Sequence, residues 1–313
     1  MKSRSIRYAQ PGKVEIIEID VPEPGPGEVL VQGLVCGICT WDLHTFKVGS
    51  NGPNPAPPGH EGVGRVVKLG PGVSTVREGA RVVGYGFADY YVMPAAGLLV
   101  LPEDSKIPDE HWLVEPASCA VTGVDHCRLR VGDRVALIGC GFMGLMILQM
   151  LGRSYAEEVT AIDLDPRRLE LAQRFGAKQL INTANPGAGD LLASLRSRPV
   201  DTTVDSTGAQ AGINLASQIT RGGGRLNLFG WNHGAATFPG DAWHLGGFTV
   251  VNSAPGSALR SVFPVAIRLI HLGFIDLKPL VTHVVPLEQF QQVLEKGVSK
   301  SDGYIKGVVR LSA

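Results

Sequence analysis

At 313 residues the chain is about twice the length of a typical single domain, so two packed units are expected. Hydrophobic residues make up 44% and charged residues 19%, which excludes a disordered or coiled-coil protein. Lys+Arg and Asp+Glu balance at 29 each, which argues against general polyanion binding and predicts no nucleic-acid partner. In chain order, residues 1–100 read as short β-segments, at 14–19, 28–31, 64–67 and 81–83. Pro and Gly punctuate them at 22–27, 52–59 and 70–72, the pattern of a barrel or sandwich. From about 115 to 255 the rhythm changes: strands at 134–138, 159–162, 179–181, 202–204 and 225–229 alternate with helices after Gly141 and over 166–175. That alternation predicts a doubly wound parallel sheet, so the fold class is α/β beside a β-rich unit. The tail returns to short strands and helices near 257–273 and 287–296. The expected organisation is a first catalytic part at 1–116, a nucleotide-binding unit at 117–255, and a return to the first unit at 256–313.

Gly contributes 40 of 313 residues, well above the usual ~7%, with no collagen period. The five cysteines are an odd number in apolar or motif contexts, which argues against a secreted disulfide scaffold. Residues 1–17 carry no apolar core of a signal peptide, and no apolar run approaches the ~20 residues a membrane span requires. A reduced, cytoplasmic protein with no membrane partner is expected.

Gly139, Gly141 and Gly144 form a G-x-G-x-x-G that directly follows an apolar strand and opens the helical run 145–151. Gly139 permits a tight turn, Gly141 lets the backbone approach a pyrophosphate, and Gly144 permits close helix packing, with Phe142 and Met143 completing the loop. The helix N-terminus then offers N–H groups to the phosphates. Asp163, nineteen residues past Gly144, is placed to accept the adenosine ribose hydroxyls. A carboxylate there repels a 2′-phosphate, so NAD is expected over NADP, although Arg167 and Arg168 stand nearby. The alternative is an ordinary glycine turn with an unrelated Asp.

Cys36 and Cys39 are spaced as C-x-x-C, but no second pair completes a zinc knuckle and no thioredoxin-like start precedes them. Cys39 with the adjacent His60 and Glu61 offers a thiolate, an imidazole and a carboxylate, a donor set suited to zinc. Glu115, at the start of the α/β unit, offers another carboxylate at a domain cleft. Taken singly, Cys39 also reads as a core thiol, His60 as a turn cap and Glu115 as a helix N-terminal acid.

The stretches 36–44, 58–67, 131–141 and 280–290 occur in the order found in the zinc-dependent medium-chain alcohol and polyol dehydrogenases, which the chain resembles over nearly its whole length. The resemblance implies a GroES-like β-barrel catalytic domain with an inserted Rossmann domain. It implies Cys39 and His60 as zinc ligands, and Glu61 as an acid that binds zinc or exchanges with water. Glu115 falls where some relatives carry a second Cys; Glu-Pro there resembles the sorbitol, threonine and glucose dehydrogenase branch. Asp42 matches the acid that holds the zinc-bound His, and His44 the His that relays a proton to solvent. Thr122, Cys119 and Gly230–Trp231 match positions near the nicotinamide, and Lys306 matches a C-terminal basic position near the phosphates. The implied reaction is reversible oxidation of a secondary alcohol, on a polyol, sugar or hydroxy amino acid, by a homo-oligomer, dimer or tetramer.

Three departures stand out. The Ser or Thr expected two residues after the zinc-binding Cys is Trp41, so the relay must run through Thr40, water or a carboxylate. The four-Cys structural zinc lobe is missing after 81–83, so one zinc per chain is expected. The residue after Cys39 that often binds phosphate as Arg is Thr40, leaving the helix, Arg168 or Lys306 to neutralise phosphate. The rival readings are a zinc-free enone or quinone reductase of the same superfamily and a silent NAD-binding scaffold.

Overall fold

The computed structural model describes residues 1–50 and 57–311. Residues 51–56, which overlap the Pro- and Gly-rich stretch 52–59, lie outside the described residues. The chain divides into two compact units, Met1–Pro116 with Ala266–Ala313, and Ala117–Val265.

The chain opens with β1 (Lys2–Gln10), β2 (Lys13–Asp20), β3 (Glu28–Gly37), α1 (Thr40–Val48), β4 (Glu61–Leu69), β5 (Arg81–Gly84) and β6 (Tyr90–Pro94). Helix α2 (Val114–Cys127) carries it into the second unit. There follow β7 (Arg134–Ile138), α3 (Phe142–Leu151), β8 (Glu158–Asp163), α4 (Pro166–Arg174), β9 (Gln179–Asn182) and α5 (Ala188–Ser197). The unit continues with β10 (Val200–Asp205), α6 (Gln210–Ile219), β11 (Thr220–Leu228), α7 (Gly240–Gly246) and β12 (Thr249–Asn252). Helix α8 (Phe263–His271) carries the chain back, and β13 (Val281–Pro286), α9 (Phe290–Ser299) and β14 (Lys306–Arg310) follow.

In the first unit the strands run β13-β14-β3-β4-β5, with β6 also on β3. Strand β3 pairs β6 through residues 28–32 and β14 through residues 35–37, so its partner changes at Gly33. A Cβ at residue 33 would meet the Ala88 carbonyl and the Leu311 side chain, which explains the glycine. One core gathers Ile6, Tyr8, Phe46, Phe87, Phe290 and Val309, and a second gathers Val29, Val31, Val66, Val82 and Tyr91. Helix α1 lies within a stretch that the punctuation reads as all-β. A capping box at Cys39 and Asp42 starts it, a local signal hidden inside a cysteine motif.

In the second unit β12-β11-β10-β7-β8-β9 form a parallel sheet. Its order reverses between β7 and β10, the switch point where such sheets bind ligands beyond their strand ends. The expected strand 134–138 coincides with β7, and the expected 166–175 helix with α4 to within one residue. The rhythm places the end of this unit at 255, whereas the chain leaves it after Val265. His126 Nε2 bonds the Ser257 carbonyl at 2.8 Å and Arg260 Nε donates to Asp125 at 2.7 Å, tying these residues to α2.

Candidate metal and dinucleotide sites

Strand β3 delivers Cys39 to the N-cap of α1 with extended backbone at φ −82° and ψ 162°. The Cys39 N–H donates to Asp42 Oδ2 at 2.7 Å, and the Trp41 N–H donates to Cys39 Sγ at 3.4 Å. The sulfur is therefore held by the helix that it caps. On the facing strand Glu61 is the register partner of Gly37. A Cβ at residue 37 would strike Glu61 Oε2, so the glycine makes room for the carboxylate. Gly59 turns the chain into β4 with φ +104°, and a side chain there would press on the Phe87 ring and Cys36 Sγ. These features bring ligand atoms of Cys39, His60 and Glu61 within 4.8 Å of one another.

The surroundings of the cluster are buried and charged. Asp42 is fully buried, and burial pushes its carboxyl up to about 6 against the opposing bonds from the Cys39 N–H and Tyr8 hydroxyl. Burial also pushes the Cys39 thiol up to about 12; Glu61 adds to this and Lys306 opposes it. A bound divalent cation reverses that balance, because a coordinated thiol is deprotonated. Glu61 Oε2 is buried, and Lys306 Nζ lies 2.5 Å from it as its ion-pair partner. Thiolate, imidazole and carboxylate donors converging in this way fit a zinc ion.

Several expected residues take other positions. Glu115 stands half-buried in the first turn of α2 and is not a member of the cluster. The resemblance has Asp42 holding the metal-binding His. Its oxygens instead accept from Cys39 N–H and Tyr8 Oη, and it meets His60 through charge. Lys306, expected among the phosphate ligands, is 4% exposed, donates to the Ile38 carbonyl at 2.8 Å and pairs with Glu61. Burial works to lower its ammonium, and Glu61 and Cys39 outweigh that and raise it. The pairing of β14 with β3 carries it there, which chain-order reasoning does not reveal. Thr40 is exposed at the start of α1 and His44 half-buried one turn later. Trp41 is 36% exposed and stands edge-on to Tyr8 at 6.5 Å. Tyr8, Gly37 and Gly59 escaped the sequence reading; the glycine of Pro58-Gly59-His60 was the available signal.

In the second unit Gly139 follows β7 with φ +91°. A Cβ on Gly144 would collide with the Gly139 carbonyl, so the first turn of α3 can pack on the loop only as glycine. A Cβ on Gly141 would meet nothing nearer than Arg168 Nη1 at 4.0 Å, which leaves open space. Gly141 caps α3, a ten-residue helix, without a side-chain bond of its own, and the positive end of the helix dipole faces the glycine loop. Phe142 is buried against that turn and Met143 is half-buried beside it. Ser206, after β10, donates to the Gly139 carbonyl at 2.6 Å and joins the two sides of the switch point. Asp163 closes β8 and accepts the Cys140 N–H at 2.6 Å and the Asp165 N–H at 2.8 Å. Arg167 is held on Asp165 at 2.9 Å, and Arg168 Nε lies 3.9 Å from the same carboxylate. Gly230 follows β11 against Gly208, and Trp231 is 52% exposed with its ring 3.9 Å from that of His233. Thr122, on α2, is buried and donates to the Ser118 carbonyl at 3.1 Å.

Residues 25–103 match the alcohol dehydrogenase GroES-like domain, and residues 143–271 match the zinc-binding dehydrogenase family. Sorbitol dehydrogenase of Gallus gallus is 31% identical over 91% of this chain and 90% of its own. D-arabinitol dehydrogenase 1 of Uromyces fabae is 29% identical over 95% of this chain and 94% of its own. The crystal structure of 2R,3R-butanediol dehydrogenase from Bacillus subtilis superposes with a TM-score of 0.87 at 26% identity, covering 99% of this chain and 100% of that one. On these matches, which run along nearly the full length, the chain belongs to the zinc-dependent medium-chain alcohol dehydrogenase family.

Proposed function

We propose that the chain oxidises a secondary alcohol of a polyol to a ketone with NAD, using one catalytic zinc. The observation that carries this reading is the convergence of Cys39, His60 and Glu61 within 4.8 Å. Bound zinc would supply Lewis acidity and a bound nicotinamide the capacity to take up a hydride. The chain's own residues bind and orient. Cys39, His60 and Glu61 hold the metal, with Glu115 a further carboxylate outside the cluster, and Asp42 fixes the Cys39 backbone. Thr40 and His44 are one turn apart on α1 and take the substrate proton outward, in place of the hydroxyl that Trp41 replaces.

Gly139, Gly141 and Gly144 shape the pyrophosphate loop, with the α3 N-terminus and Arg168 facing the phosphates. Asp163 favours NAD over NADP, and Asp165 supports this by engaging Arg167 and Arg168. Thr122, Gly230 and Trp231 remain the candidates for the nicotinamide end. Arabinitol, sorbitol and butanediol, named for the relatives, carry more than one hydroxyl, which favours a polyol over a sugar or hydroxy amino acid. The link from β5 to β6 contains no cysteine, which supports a single zinc. Edge strand β12 is largely exposed and supports a homo-oligomer, dimer or tetramer, built by strand pairing. Among the described residues no helix is long and apolar enough to cross a membrane. Among the described residues the five cysteines form no disulfide, which supports a reducing, cytoplasmic setting.

Elemental analysis with a polyol panel tests the reading. One zinc per chain, lost together with NAD-linked turnover in Cys39→Ala while NAD still binds, is the expected result. Turnover that survives Cys39→Ala defeats it.

A further inference from the structure

Lys306 stands against the metal-ligand cluster with its ammonium buried. Its Nζ lies 2.5 Å from Glu61 Oε2, with the two side chains 5% and 3% exposed, and donates to the Ile38 carbonyl at 2.8 Å. Val308 faces Gly37 across β14 and β3, and the Ile38 N–H donates to the Gly307 carbonyl at 2.9 Å. Lys306 is thereby set at the strand end from which Cys39 emerges. The glycine at residue 37 leaves the space that Glu61 Oε2 occupies beside it.

A buried ion pair is a poor stabilising device, because desolvating two charges offsets most of their attraction. Here the carboxylate has two cationic claimants, the Lys306 ammonium and a cation held by Cys39 and His60. A catalytic metal centre must yield a coordination position to its substrate. A carboxylate can withdraw without becoming an unpaired buried charge only if a second partner waits for it. We infer that Lys306 is a positioning residue that competes with the metal for Glu61 and keeps this carboxylate a reversible ligand. It rests on the reading of Cys39, His60 and Glu61 as metal ligands.

The test measures zinc release from the full-length holoenzyme to a chromogenic chelator, with NAD affinity in parallel. Lys306→Met is expected to slow zinc release by about tenfold, as the unopposed carboxylate becomes a permanent ligand. It should lower kcat while leaving the KM for NAD unchanged. In a Glu61→Gln background the same substitution should change release by less than about threefold, since the shared oxygen is neutral. Lys306→Gln keeps a donor for the Ile38 carbonyl and should act in the same direction, which covers a methionine variant that fails to fold. Faster or unchanged zinc release, equal slowing in the Glu61→Gln background, or weakened NAD binding with zinc release unchanged overturns the inference. Wild-type protein that binds no zinc defeats the metal reading itself. Zinc-loaded wild type with unaffected Lys306 variants defeats this inference alone.

Discussion

The Tyr8 hydroxyl donates to Asp42 Oδ1 at 2.9 Å, while the other oxygen of that carboxylate accepts the Cys39 N–H at 2.7 Å. A residue of the first strand thus steadies the cap that presents the Cys39 sulfur. Tyr8 is 4% exposed, so its hydroxyl has no ready substitute in solvent. Tyr8→Phe should cost about 1–3 kcal/mol in urea unfolding, because a buried acceptor loses its donor. It should also weaken zinc binding by about tenfold in a chelator competition, as loss of a supporting contact does at metal sites. Zinc affinity equal to wild type would show that the Cys39 cap stands without Tyr8.

Asp42 makes a pH prediction for chelator-stripped protein. Burial raises its folded-state pKa to about 6, above the ordinary 3.8. The folded chain therefore holds a proton that the unfolded chain has released between these values. This contribution is fully present below the lower value and is lost as pH rises through about 6. Compared with Asp42→Asn, wild type should lose up to about 3 kcal/mol between pH ~4 and ~7. Urea titrations of both proteins at the two pH values measure the difference. A pH-independent gap would mean that Asp42 titrates normally.

The glycine loop separates a packing role from a binding role. Gly144→Ala drives a methyl group into the Gly139 carbonyl and should cost about 2–3 kcal/mol in thermal or urea unfolding. Gly141→Ala meets open space and should leave stability within about 1 kcal/mol of wild type. The same methyl group stands where the backbone must approach the pyrophosphate, so the Kd for NAD should rise by about tenfold or more. Unchanged NAD affinity in Gly141→Ala would move the phosphates elsewhere.

Asp163→Asn retains an oxygen acceptor and removes the charge that opposes a 2′-phosphate. The ratio of kcat/KM for NAD to that for NADP should fall by about tenfold, roughly 1.4 kcal/mol of discrimination. Asp165→Asn should add to this by releasing Arg167 and Arg168 from their shared carboxylate. An unaltered ratio in both variants would remove the acids from cofactor choice.

The Rossmann half of the molecule is the more legible one. Parallel strands buried on both faces appear as short apolar runs, and Gly139, Gly141 and Gly144 announce themselves because each backbone position excludes a side chain or keeps space for a ligand. The Cys39 cluster is legible as a donor set, and the neighbouring His60 and Glu61 supply two donors from one stretch. Helix α1 was missed because the cap that starts it uses a cysteine rather than a usual Ser, Thr or Asn. Glu115 and Lys306 rest on position alone in the sequence; in the fold Glu115 lies outside the Cys39 cluster and Lys306 pairs with Glu61.

Composition, strand–helix rhythm and the two motifs determine the fold class and point to the candidate residues of the glycine loop and the metal cluster. These signals act over a few residues, through backbone geometry and the periodicity of burial. Which distant groups meet was decided by tertiary structure alone. Tyr8 reaches Asp42 from the first strand, and Lys306 reaches Glu61 because β14 pairs with β3 in one register. A register shift of one residue would turn Lys306 to the opposite face of its strand. Long-range strand pairing therefore sets the charge around the metal site.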